Sequence, residues 1–252
     1  MAAQREKIAV VTGAGRGIGA ATARRLAAEG YAVCINYLAD SRAAETLASG
    51  IRGEGGRAIA AQADVGEPAQ IEQLFSRVDR ELGALTALVN NVGMIGQQAR
   101  IDDTDAVQLW RLLAVNVVSA TLCCKEAVRR MSTRYGGRGG AIVNVSSMAA
   151  VLGGFNGRVR YALSKAALET LTTGLAREVA TEQIRVNAVR PGPFATEIHA
   201  PYGGATFLET VKQKIPMGRV GEPPEAAAAI AWLLSAEASF VSGAIVNVSG
   251  AQ

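Results

Sequence analysis

Seven short, nearly unbroken apolar runs divide this 252-residue chain, with longer stretches of helical periodicity between them. The runs fall at residues 8–11, 32–36, 58–62, 87–90, 141–145, 184–189 and 244–248. Half-exposed antiparallel strands alternate apolar with polar residues, whereas these runs read as parallel strands buried on both faces. Segments such as 18–29 and 71–81 place apolar residues at helical spacing. Parallel neighbours need a crossover, so the strand–helix–strand order predicts a Rossmann-like, doubly wound α/β sheet of about seven strands, with helices on both faces. No Pro/Ser-rich linker splits the chain, and the Gly-Gly-Arg-Gly-Gly cluster at 136–140 sits where a helix must turn into a strand. A single domain over residues 1–252 is expected.

Composition removes several functions. No run of 18 or more apolar residues occurs, so no membrane span is expected. The polar residues 1–7 are not a secretory signal. Cys34, Cys123 and Cys124 have neither metal-ligand spacing nor a disulfide framework, which points to a reducing cytoplasm. His199 is the one histidine, so no metal centre is expected and a Ser-His-Asp hydrolase would depend on that residue alone. The 26 basic residues are scattered among 22 acidic ones without a basic stripe, so no nucleic-acid partner is expected. The net charge of +4 suits an anionic cofactor or metabolite.

The first strand runs directly into Thr12-Gly13-Ala14-Gly15-Arg16-Gly17-Ile18-Gly19, which opens a helix. Glycines there permit a tight turn and let backbone N–H groups approach a pyrophosphate at the helix N-terminus. The spacing is T-G-x-x-x-G-x-G; Ile18 breaks the strict G-x-G-x-x-G pattern. An ordinary tight turn is the plain alternative, and the strand before and helix after favour phosphate binding.

Further motifs follow in order: Asp64-Val65, Asn90-Asn91-Val92-Gly93, Asn116, Ser146-Ser147, Tyr161-Ala-Leu-Ser-Lys165, and Pro191-Gly192 through Thr196. Together with the loop they resemble the short-chain dehydrogenase/reductase family along essentially the whole chain, most like 3-oxoacyl-carrier-protein reductases and glucose 1-dehydrogenase-like members. Two departures stand out. Val92 replaces the usual Ala, which would crowd the nicotinamide slightly, and Ser147 to Tyr161 spans one residue more than is common, which suggests an extra loop residue. The resemblance implies hydride transfer between a nicotinamide cofactor and a carbonyl/alcohol substrate. In carbonyl reduction Tyr161 would be the general acid, Ser147 would orient and polarise the oxygen, Lys165 would lower the tyrosine pKa, and Asn116 would hold a water in a proton relay. An epimerase or isomerase with transient hydride chemistry, or a non-catalytic dinucleotide-sensing regulator, would share the loop; a regulator would usually lack the Tyr–Lys pair.

The residues argue in the same direction without the family. Tyr161 and Lys165 at i and i+4 share a helix face, and chance predicts about 0.1 such pairs in a chain of this composition. A free tyrosine titrates near 10, and a nearby cation lowers that value. Ser147 falls at the carboxyl edge of a strand, where open α/β sheets bind ligands, with a cap or turn serine as the alternative. Ser146 reads as a serine of that kind. Asn116 lies in the apolar helical stretch 109–124, where a buried amide must find partners, so bridging of backbone groups stays open beside the relay.

For the cofactor, the resemblance implies contacts from Gly13, Gly15, Arg16, Gly17, Ile18, Gly19, Asn36 and Tyr37. Asp64 would accept from the adenine amino group with Val65 beside the ring, unless Asp64 caps the helix starting near Glu67. Asn91, Val92, Gly93, Tyr161 and Lys165 would meet the ribose and nicotinamide, and Pro191, Gly192, Phe194 and Thr196 the carboxamide end. The second strand ends Asn36-Tyr37-Leu38, without the acid that NAD sites use on the ribose 2′-OH. Arg16 can reach that space, with Ser41 and Arg42 nearby and Asp40 read as a helix N-cap. NADP(H) is therefore favoured over NAD(H). Residues 197–214, including His199, look like a substrate lid. Helical stretches 109–127 and 161–179 carry apolar or small residues on more than one face, which implies a homo-oligomer, a tetramer or a dimer.

Overall fold

The computed structural model describes residues 6–198 and 203–252; His199 and the rest of 199–202, part of the expected lid, lie outside the described residues. Seven parallel strands form one sheet: β1 (Lys7–Val11), β2 (Tyr31–Tyr37), β3 (Arg57–Gln62), β4 (Ala87–Asn90), β5 (Gly140–Val145), β6 (Ile184–Pro191) and β7 (Ile245–Val248). Their order is β3-β2-β1-β4-β5-β6-β7. Val11 pairs with Ile35 on one side and Val89 on the other, so the winding reverses direction at β1 and β4. Beyond the carboxyl ends of those two strands the crossovers leave in opposite directions, and a crevice opens there.

Strand alternation divides the apolar residues between two cores. Ala9, Val11, Val33 and Ile35 join the core under α1 (Gly17–Ala28), α2 (Ser41–Gly53) and α9 (Pro223–Leu234). Ile8, Val10 and Cys34 face the core under α3 (Pro68–Glu81), α5 (Ser119–Met131) and α7 (Val159–Glu178). Burial of both faces is why the strand sequences are continuously apolar. Asp40 accepts from Ala43 N at 2.9 Å and caps α2, as expected.

The helical stretch expected at 109–124 is longer and interrupted. α4 (Ala106–Leu113) passes into a π-helical turn, Ala114–Val118, and then into α5. Hydroxyls bond back to the turn, Ser119 Oγ to Val115 O at 2.5 Å and Thr121 Oγ1 to Val117 O at 2.9 Å, a pattern that competes with the regular ladder and bends a helix. The whole run, Ala106–Met131, is long and apolar enough by length and composition to cross a bilayer, which corrects the expectation drawn from unbroken apolar runs alone. Here Asn116, Cys123, Cys124 and Ala127 are buried against the rest of the fold. Short α6 (Ala149–Leu152) follows β5, and α8 (Gly204–Lys212) follows β6.

Candidate active site

A cavity of about 840 Å³ opens at the crevice. At its phosphate end, α1 begins without a side-chain cap and without an acidic residue in its first turn. Gly13, Gly15, Arg16, Gly17 and Ile18 line the wall there. The loop is held from behind. Thr12 Oγ1 accepts from the N–H groups of Asn91 and Val92, at 3.0 and 3.2 Å, and Asn91 Nδ2 donates to the carbonyls of Thr12 and Gly13. Gly13 has φ +60, and a Cβ on it would come within 2.9 Å of Val92 Cγ2. Val92 thus leans on the glycine loop as well as facing the cavity. A Cβ on Gly19 would meet Asn91 Nδ2 at 2.5 Å and Gly13 O at 2.7 Å, while one on Gly15 would meet nothing within 4 Å. A cradle of open backbone N–H groups at an uncapped helix start fits a dinucleotide pyrophosphate.

Four expected cofactor contacts have other positions. Gly19 packs behind the loop. Asn36 is 1% exposed; its Oδ1 accepts from Gly13 N, and its Nδ2 donates to the carbonyls of Ala61 and Ala63. It braces the glycine loop. Val65 is buried in the second core. Asp64 Oδ1 accepts from Gly66 N at 2.8 Å, so it forms a tight turn, and α3 begins at Pro68 with Glu67 as its N-cap, not Asp64. None of the four lines the cavity. Tyr37, Asn91, Gly93, Pro191, Gly192, Phe194 and Thr196 do line it. So does Asp40, the N-cap of α2. Arg16 and Glu197 approach to 3.6 Å at its mouth, both largely exposed.

At the chemical end, Ser147, Tyr161 and Lys165 all line the cavity. Tyr161 and Lys165 lie one turn apart on α7, with Lys165 Nζ 5.9 Å from the tyrosine ring centroid. Lys165 is 3% exposed, and its Nζ donates to Val145 O at 2.9 Å. Burial lowers its pKa to about 8. Gly93 makes room for it, since a Cβ there would sit 2.9 Å from Nζ.

The serines divide the work differently from expectation. Ser147 Oγ accepts from Ala149 N at 3.2 Å while facing the cavity. Ser146 is neither a cap nor a turn residue. Its Oγ donates to Glu169 Oε1 at 2.7 Å, with Lys165 O at 3.1 Å. Glu169 in turn forms a nearly buried ion pair with Arg190 of β6, Nη2 to Oε2 at 2.6 Å. Asn116 Oδ1 accepts from Met94 N, and its Nδ2 donates to Met94 O and Ser164 Oγ, all between 2.8 and 2.9 Å. Both amide hydrogens are used, so the side chain bridges backbone groups and does not donate to a relay water. The π-helical turn supplies that reach.

Sequence reasoning missed Arg158 and Gln252, which also line the cavity, as does Phe207 from the segment expected to form the lid. The extra residue between Ser147 and Tyr161 was a signal for the segment containing Arg158. No local signal links Glu169 to Arg190, which are 21 residues apart.

The comparisons agree with this geometry. A family profile described as Enoyl-(Acyl carrier protein) reductase matches residues 13–250. An uncharacterized oxidoreductase, YgfF, of Escherichia coli is 47% identical over 96% of this chain and 98% of its own length. The cis-4-hydroxycyclohexanecarboxylate dehydrogenase of Sinomonas cyclohexanicum is 40% identical over 97% and 96%. A solved short-chain dehydrogenase of Burkholderia cenocepacia, in complex with NADP, superposes with a TM-score of 0.89 at 35% identity, over 97% of this chain and 96% of that one. The chain belongs to the short-chain dehydrogenase/reductase family, and with it to the oxidoreductases that transfer hydride between a nicotinamide cofactor and a carbonyl or alcohol group.

Proposed function

We propose that this protein is an NADP(H)-preferring dehydrogenase/reductase of secondary alcohols and ketones in which Tyr161 carries the proton. The observation that carries the reading is the cavity wall itself, where Ser147 and Tyr161 stand beside a lysine buried against the end of β5. The cofactor, when bound, supplies or accepts the hydride at the substrate carbon. Tyr161 then gives its phenolic proton to the forming alkoxide in reduction, or takes the alcohol proton in oxidation. Ser147 holds the same oxygen with its hydroxyl. The Lys165 cation favours the phenolate that remains.

The NADP(H) preference rests on Arg16. Its side chain is 72% exposed, lines the cavity and is paired with the Glu197 carboxylate, which a 2′-phosphate can replace. Asp40 is held at the same end by its cap bond to Ala43. We further read the protein as a cytoplasmic homo-oligomer, a tetramer or a dimer. Val107 and Trp110 on α4, and Val159 and Leu163 on α7, are large apolar side chains exposed on neighbouring helices, and a second copy would cover them. The three cysteines are free and buried, as suits a reducing compartment.

Tyr161→Phe tests the chemistry. It should lower kcat by roughly 10²–10⁴-fold with cofactor affinity unchanged. Residual activity above about a tenth of wild type would move the proton donor elsewhere. For the cofactor, kcat/KM with NADPH and NADH should fall in NADPH's favour, and Arg16→Ala should erase most of that ratio. A wild-type preference for NADH would falsify the NADP(H) assignment.

A further inference from the structure

A second, smaller cleft of about 190 Å³ lies between the chain that follows β4 and the helices α4 and α7. Met94, Ile95 and Arg111 line both this cleft and the reaction cavity, so the two share a wall. Arg160, in the first turn of α7, lines the cleft and not the cavity. It is 7% exposed, and it forms no ion pair among the described residues. Its one hydrogen bond there runs from Nη2 to the Gln97 carbonyl at 2.8 Å. Nε and Nη1 are not sealed by protein and stay open to the cleft.

A guanidinium withdrawn from water is costly unless an opposite charge meets it, and buried arginines are found paired. A neutral carbonyl does not supply that charge. No acid lines the cleft among the described residues, and acids before α4 are engaged elsewhere: Asp102 pairs with Arg100, and Asp105 caps α4 by accepting from Gln108 N. The other polar side chains of the wall are Gln97, Gln108 and Arg111, two amides and a second cation. The apolar residues assigned above to a second copy leave this cleft free. Val107 and Trp110 project from a different face of α4 than Gln108 and Leu112, and Val159 and Leu163 from a different face of α7 than Arg160.

We infer that this cleft is an anion site, in which a carboxylate or a phosphate meets the Arg160 guanidinium and Arg111 adds charge from α4. The planar fork of an arginine matches both groups, and Gln97 and Gln108 can donate to their remaining oxygens. The volume admits one small anion and not a nucleotide. Neither arginine moves a proton or a hydride, so binding there does not depend on the proposed reaction. The shared wall leaves two sources for the anion: a free one, or the far end of a substrate that reaches past Arg111 from the reaction cavity.

The test titrates inorganic phosphate and 5-oxohexanoate by calorimetry into protein saturated with NADP⁺, which occupies the glycine loop. Wild type should bind phosphate, and phosphate should raise its melting temperature above that in chloride of equal ionic strength. Arg160→Gln, which keeps a donor for the Gln97 carbonyl but removes the charge, should weaken phosphate about 10-fold or more. Arg160→Lys should lose less, and Arg111→Met, a change at an exposed position, should weaken phosphate without lowering the melting temperature in chloride. Displacement of phosphate by 5-oxohexanoate, at concentrations where acetate has no effect, marks the anion as a substrate's own end. Equal displacement by the two, or none, marks a free anion. Wild type that binds neither phosphate nor 5-oxohexanoate, or phosphate binding that the Arg160 and Arg111 variants leave unchanged, would overturn the site.

Discussion

Lys165 donates from Nζ to the carbonyl of Val145 over 2.9 Å, at a position 3% exposed to solvent. The bond fixes the ammonium beneath Tyr161, and burial holds its pKa near 8 instead of 10.5. Folded protein therefore binds this proton only below about 8, whereas unfolded chain keeps it to about 10.5. Between those values the unfolded state holds more protons, so wild-type stability rises with pH. Lys165→Met lacks this dependence. Its unfolding free energy relative to wild type should fall by about 3 kcal/mol between pH 7 and 11. Urea unfolding at both pH values checks it, and parallel pH profiles would contradict it.

The same titration bears on turnover. Carbonyl reduction needs the Lys165 cation beside the forming phenolate, so kcat should decline above about pH 8. Lys165→Arg, with its guanidinium charged across this range, should show no such decline in whatever activity it retains.

Gly15 and Gly19 separate binding from folding. A Cβ on Gly15 meets nothing in the protein but lies where a pyrophosphate would sit, so Gly15→Ala should weaken cofactor binding about 10-fold without loss of stability. Gly19→Ala presses on the Gly13 carbonyl and the Asn91 amide, and it should lose about 1–3 kcal/mol of stability as well. Thermal melts of the apoprotein, paired with cofactor titrations, distinguish the two.

Asn116→Leu should cost about 2–4 kcal/mol, because it strands the Met94 N–H and the Met94 carbonyl and removes the donor to Ser164 Oγ. Denaturant midpoints report it directly. A near-neutral result would show that these groups find other partners.

The Glu169–Arg190 pair ties α7 to β6 behind the active site, and Ser146 is attached to it. Either single change to Ala should destabilise by about 3–5 kcal/mol, since each leaves a charge uncompensated. The double variant Glu169→Leu/Arg190→Met should recover to within about 1 kcal/mol of wild type. Equilibrium unfolding of the three variants is the measurement.

Most of the architecture was legible in the sequence. Strand positions came from continuous apolar runs, because a strand buried on both faces has no polar side to show. Tyr161 with Lys165 was legible because one helical turn brings i and i+4 together whatever surrounds the helix. Asp40 was legible as a cap because capping is local. The glycine loop was legible because only a strand–turn–helix junction needs such residues there.

What the tertiary structure decided lies between segments distant in sequence. Asn36 faces Gly13 because β2 pairs with β1, and its amide serves the loop instead of a ligand. Ser146 and Ser147 are adjacent, yet one joins Glu169 and the other faces the cavity, because successive side chains leave the sheet edge in opposite directions. Asn116 reaches Met94 only through a widened helical turn that apolar periodicity does not report. Arg158 meets Phe207 only once α8 folds over the cavity. Local geometry depends on neighbours along the chain, so the sequence by itself determined it. Partners across 20 to 80 residues depend on how the crossovers close the sheet, and that was settled only by the packed fold.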